Sequence, residues 1–327
     1  MYSDKQRSDA FKKNNDLELV LAEINRLIAP LNQENLTLPK KPIILVMGCA
    51  RSGSTLLMQY LASLGNFSYP TNLIARFYKN PYLGILIQKA LVELDDSNQI
   101  GFKSEITEFN SDLGKTSGAL QPSEFWYFWR EYFKFSTYNF LSENEQELVD
   151  TNLFFKKLSA FESLTNKPLL MKGMMLNWNI PYLYSIYNKF IFINLERDVI
   201  DNAQSLLQAR QSFFGDKTKW YSFKPLEYES LKNKTPEEQV IGQVMYTQNA
   251  IKQGLKEIPL SNQITINYNE FCLNPSSIIG ALNLKFKSLG LELDLNEKID
   301  AGVRIKPSEN KNSANKKLEQ AYNKFPH

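Results

Sequence analysis

The segment Gly48-Cys49-Ala50-Arg51-Ser52-Gly53-Ser54-Thr55 has the residue types of an anion cradle. Small residues let successive backbone N–H groups turn toward one anion, and a helix that begins there adds its dipole. The spacing fits G-x-x-x-x-G, but Ser-Thr follows where a nucleotide-hydrolysing loop has Lys-Ser/Thr. The cation is instead Arg51, inside the loop, and a guanidinium offers a tetrahedral anion a planar fork of donors. Three further positions carry candidate chemistry. Arg197 is followed eight residues later by Ser205, in "FIFINLERDVIDNAQSLL"; Lys172 ends "PLLMK"; Glu124 precedes an aromatic run. A P-loop kinase or NTPase needs the loop lysine and a metal-binding acid at a later strand end. The lysine is missing, and the later strand ends carry Lys172 and Glu196-Arg197-Asp198, so no metal is expected.

Composition removes other chemistries. The single histidine is the last residue, His327, which argues against Ser-His-Asp and Cys-His mechanisms. Cys49 and Cys272 stand far apart, which is neither a disulfide framework nor a zinc pattern and fits a reducing compartment. A net charge of +3 over 327 residues favours no broad nucleic-acid surface but permits a local anion site. With 43% hydrophobic residues the chain can build a sizeable core. The first thirty residues contain no apolar run long enough for a signal peptide or membrane span. The expected location is therefore the cytoplasm, with Met1 taken as the natural start. The sequons at Asn35, Asn66 and Asn233 then read as chance matches.

These side chains need elements to hold them. Residues 42–47, "PIILVM", read as a buried strand, and a helix follows from Gly53 to Leu64. Further strands are expected at 168–173, 189–198 and 263–271, with helices from 179, over 199–210, 236–257 and 276–290, and another at 81–94. Residues 100–122 read as loops. Phe125, Phe128, Trp129, Tyr132 and Phe133 fall at helical spacing within 124–133, as a core stripe or an acceptor wall. Alternating strands and helices predict an α/β fold, a P-loop-type central parallel sheet flanked by helices with helical additions. The expected organisation is an N-terminal helical lead over 1–40, a catalytic domain over 41–295 and a basic C-terminal segment over 296–327. The lead should carry an amphipathic helix with Leu17, Val20, Leu21, Ile24, Leu27 and Ile28 on one side. The aromatic-rich excursion 211–235 is a possible acceptor lid.

"GCARSGSTLLMQYL" resembles the 5′-phosphosulfate loop of sulfotransferases that use 3′-phosphoadenosine-5′-phosphosulfate (PAPS). The likeness is to the R-S-G-(S/T)-T version of the tyrosylprotein, carbohydrate and bacterial branches. The pair Arg197 and Ser205 is similar to the second family motif, although Val199 stands where proline often follows Arg-Asp. "ITINYNEFCLNPSSIIGAL" resembles a late structural segment. The matching stretches, 42–64, 168–210 and 263–290, keep the family order. The resemblance implies that Arg51, Ser52, Gly53, Ser54 and Thr55 bind the 5′-phosphosulfate, with Arg51 stabilising the leaving oxygen, and that Arg197 and Ser205 bind the 3′-phosphate. It implies PAPS as donor, PAP as product, no metal, and an acceptor with a free hydroxyl. Lys172 is loosely similar to a strand-end lysine near the sulfate; otherwise it is a solvated strand-end residue.

The base is not carried over. The histidine of cytosolic-type enzymes has no counterpart unless His327 folds back. The glutamate of tyrosylprotein-type enzymes falls in a stretch, Leu56 to Val92, that contains no acid. Glu124 ranks first, opening the aromatic helix where packed rings would exclude water and raise its pKa. The dipole of that helix would favour an acid there in any case. Glu105 and Glu108 follow. Arg304 and Lys306 are weaker candidates for closing on the nucleotide. The competing readings are a P-loop kinase or NTPase and a nucleotide-binding relative without catalysis.

Overall fold

A computed structural model of the chain describes residues 6–31, 36–102, 111–136, 138–291, 295, 305 and 316–325. Glu105, Glu108, Arg304, Lys306, His327 and the sequon at Asn35 lie outside the described residues. The chain enters through helix α1 (Asn15–Ile28), then strand β1 (Ile43–Met47) and helix α2 (Ser54–Ser63). Helices α3 (Trp126–Tyr132) and α4 (Thr151–Thr165) precede strand β2 (Leu169–Lys172). Strand β3 (Phe190–Glu196) leads into α5 (Val199–Phe214) and the long α6 (Pro236–Lys256). Strand β4 (Gln263–Asn267) runs directly into α7 (Tyr268–Leu273), followed by α8 (Ser277–Ser288) and α9 (Lys316–Asn323).

The four strands form one parallel sheet in the order β2-β1-β3-β4. Because both faces are covered, β1 is buried along its whole length and reads as a continuous apolar run. Its alternate side chains divide between two cores. Ile43, Leu45 and Met47 pack with Leu169, Met171, Phe190 and Phe192 toward α3, α4, α5 and α6. Ile44 and Val46 pack with Leu170, Ile191, Ile193 and Leu195 toward α2, α7 and α8. Since these four strands are parallel, the loop after β1, Lys172, Arg197 and Tyr268 all emerge at one edge, the carboxyl ends, where such sheets bind ligands.

The aromatic stripe is core: Phe128, Trp129 and Phe133 are almost fully buried, and Trp129 anchors to β2 by donating to the Lys172 carbonyl at 3.1 Å. Several expectations change. Glu124 does not open α3. Phe125 occupies its N-cap in the left-handed region (φ 55°), so Glu124 stands before that turn and outside the helix. The strand expected over 263–271 ends at Asn267, whose side chain caps α7 by accepting from the N–H groups of Asn269 and Glu270. On α1, Val20 and Leu27 are exposed and the buried residue is Asn25, which donates to the Arg76 carbonyl. Within the basic C-terminal segment, α9 packs on α5 and α6 with Leu318 and Ala321 buried.

Candidate active site

The Gly48–Thr55 loop is pinned from both sides. Asn177, wholly buried, donates to the Gly48 carbonyl at 2.8 Å and accepts from the Gly48 N–H at 3.3 Å. Asn202 on α5 donates to the Ala50 carbonyl at 2.7 Å. Within this frame Arg51 takes a left-handed conformation (φ 68°). Gly53 follows at φ 101°, and a Cβ there would meet the Tyr268 ring at 2.4 Å, so any other residue is strained at this position. Helix α2 starts at the next residue, which leaves its first N–H groups at the loop without intrahelical partners.

The second motif joins the first. Arg197 donates to the Arg51 carbonyl at 3.0 Å and lies 4.7 Å from the centre of the Tyr268 ring. Arg51 in turn donates through Nε to Ser205 Oγ at 3.3 Å. Two guanidiniums, one hydroxyl and a helix start therefore share one end of a cleft of about 1800 Å³. The donor set fits a multiply charged anion. The buried Ser52 Oγ has no hydrogen-bond partner among the described residues. Burial pulls the Arg51 guanidinium below its usual value, while the Tyr221 phenol and the carboxylates of Asp112 and Glu124 act against the fall and Arg197 adds to it.

Lys172 is not the solvated residue that its strand-end position allows. It is 5% exposed, and its Nζ donates to Thr55 Oγ1 at 2.7 Å and to Glu124 Oε1 at 2.9 Å. Glu124 therefore stands beside the loop, held by a lysine on one oxygen and by the Trp126 indole N–H on the other, rather than against a purely apolar wall. It is 33% exposed, which leaves it open to the cleft. Thr55, Lys172 and Glu124 form one hydrogen-bonded chain from three separate elements.

A small hairpin covers this chain. Ser111–Asp112 pairs antiparallel with Lys115–Thr116 across Leu113 and Gly114, both with positive φ, as a primed turn requires. A Cβ on Gly114 would lie 3.4 Å from Thr55 Oγ1 and 3.8 Å from both Arg51 and Glu124. Tyr221, from the 211–235 excursion, donates to the Leu113 carbonyl at 3.1 Å, and its own pKa is pushed up to about 12 by burial and by Glu124. The excursion is only partly separate, because its first residues complete α5, while Tyr221, Ser222, Phe223 and Lys224 line the cleft. The N-terminal lead lines it too, through Arg7, Phe11, Lys13, Leu17 and Glu18. Asn177 and Gly114 escape sequence reading, and Tyr268 is seen there only as part of a late structural segment. A lone asparagine carries no motif, and the hairpin sits in a segment without apolar alternation.

A family model described as "Sulfotransferase family" matches residues 42–294, most of the chain, and the chain belongs to that family. The fold agrees with solved sulfotransferases. Sulfotransferase STF1 of Mycobacterium tuberculosis H37Rv superposes with a TM-score of 0.52 at 12% identity, over 98% of this chain and 82% of that one. Sulfotransferase STF9 of Mycobacterium avium gives 0.52 at 13% identity, over 88% of this chain and 74% of its own. At such identities the likeness concerns the fold alone. No match to a curated protein was found. Among the described residues no helix is long and apolar enough to cross a membrane, and no cluster of His, Cys, Asp and Glu could hold a metal.

Proposed function

We propose that the chain transfers a sulfuryl group from PAPS to the hydroxyl of a carbohydrate, glycolipid or small metabolite. One observation carries the reading: Arg51 meets Arg197 and Ser205, which come from a motif far along the chain, at a single corner of the cleft. A donor with both a 3′-phosphate and a 5′-phosphosulfate suits that doubled cation site better than a nucleotide triphosphate that travels with magnesium. In this assignment Ser52, Gly53, Ser54 and Thr55 hold the phosphosulfate beside Arg51, and Arg197 with Ser205 holds the 3′-phosphate.

The donor supplies an activated sulfuryl group. Transfer makes a sulfur–oxygen bond to the acceptor, breaks the bond to the phosphate oxygen and frees the hydroxyl proton. Glu124 is assigned as the base that takes this proton. Lys172 fixes Glu124 against Thr55 and, with Arg51, faces the charge that develops on the leaving oxygen. Tyr221 and its neighbours in 211–235 close the acceptor side as a lid. No metal is needed, because the arginines and the lysine supply the positive charge. The buried free thiols of Cys49 and Cys272 support a reducing, cytoplasmic setting.

Calorimetry tests the assignment. Metal-independent binding of PAP, with ATP–magnesium much weaker, is expected. A preference for ATP–magnesium would favour the kinase reading instead, and release of PAP from PAPS across an acceptor panel separates an enzyme from a silent relative.

A further inference from the structure

Outside the groups assigned to the donor, the cleft wall is strongly cationic. Arg7, Lys13, Arg76, Lys115, Arg130 and Lys224 line it, while the carboxylates lining it among the described residues are Glu18 and Glu124. Both carboxylates are engaged. Glu18 accepts from Lys13 and Tyr127, and Glu124 accepts from Lys172 and Trp126. The whole chain carries only +3, so the cleft gathers positive charge that the rest of the molecule offsets. Such a wall draws anions by its field.

Arg130 is the cation of this wall tied most directly to the transfer residues. Its guanidinium lies 5.4 Å from the centre of the Trp126 ring, and the indole N–H of that same ring donates to Glu124. Trp126 is fixed by stacking on Phe223 at 5.0 Å with planes 6° apart, so Arg130 stands one indole away from Glu124 at a set separation. Arg130 is partly buried, and burial lowers its pKa with only the Tyr127 phenol acting against the fall. The adjacent carboxylate, Glu131, is turned to Lys79 at 3.3 Å. Among the described residues Arg130 forms no ion pair. A half-buried guanidinium without a carboxylate is costly, and its planar fork suits an oxyanion from outside the chain.

We infer that the acceptor is itself anionic: beside the hydroxyl presented to Glu124 it carries a carboxylate, sulfate or phosphate bound by Arg130. The inference rests on the sulfotransferase reading and narrows its substrate class. The test uses the PAP-saturated protein, so that the donor corner is filled. Hydroxylated ring compounds bearing a carboxylate, a sulfate ester or a phosphate ester are each titrated against a neutral twin, the amide or the free alcohol. At least one anionic member should bind tenfold or more tightly than its twin. Arg130→Gln should erase that difference, Arg130→Lys should keep part of it, and both variants should bind PAP as the wild type does. Equal binding of anionic and neutral twins to the wild type, or a preference that survives Arg130→Gln, overturns the inference. Failure of the wild type to bind PAP would instead strike the donor assignment, so the two failures are distinguishable.

Discussion

At the residue scale the account rests on Glu124, Lys172 and Thr55 acting as one chain. Glu124→Gln keeps the shape and the hydrogen bond to Lys172 but removes the proton acceptor. Turnover should fall by about 10²–10⁴-fold, the usual worth of a positioned base, while PAP binding persists. Near-normal kcat in that variant would reject Glu124 as the base. Arg51, Arg197 and Ser205 were legible because motif residues with fixed spacing flank strands that are themselves legible. Glu124 was legible only as an acid near aromatic residues. Its true neighbours depend on the left-handed turn at Phe125, which no local pattern announces, since a phenylalanine there is an unfavourable choice that only its burial in the core can hold.

At the element scale the loop works because β1, α2, α5 and α7 grip it from several sides. Gly53 is the tightest point, lodged under the Tyr268 ring at the start of α7. Gly53→Ala adds a Cβ both to a positive-φ backbone and to that ring. A strain of about 1–3 kcal/mol is expected, read as roughly ten- to hundredfold weaker PAP binding with the fold retained by circular dichroism. Unchanged affinity would mean that the loop and Tyr268 are not coupled. The buried strands were readable in sequence because parallel strands covered on both faces are continuous apolar runs. The 111–116 hairpin was not, because two-residue strands are held by the cleft rather than by any pattern of their own.

At the scale of the whole molecule, burial of acidic side-chain protons sets an alkaline limit. The Cys49 thiol is pushed up from 9.0 to about 12, and Tyr69 and Tyr221 from 10.0 to about 12, chiefly by burial. The unfolded chain therefore loses these protons first, and above pH 9 it binds fewer protons than the folded chain. Stability should be level to about pH 9 and then fall as pH rises toward 12, as denaturation midpoints measured at several pH values would show. A midpoint unchanged up to pH 11 would contradict this. The parallel sheet and its helices followed from the alternation of strand and helix patterns. The packing of the N-terminal segment and of α9 did not, because contacts between distant segments leave no trace in local periodicity.

The central claim is that one corner recognises a nucleotide carrying both a 5′-phosphate and a 3′-phosphate. The most direct measurement is metal-free calorimetry of PAP and of adenosine 5′-phosphate, on the wild type and on Arg197→Ala. The account predicts that the wild type prefers PAP by about ten- to hundredfold, the worth of a charged hydrogen bond of about 1.5–3 kcal/mol, and that Arg197→Ala loses most of that preference. Equal affinity for the two nucleotides on the wild type, or a preference untouched by removing Arg197, would contradict it.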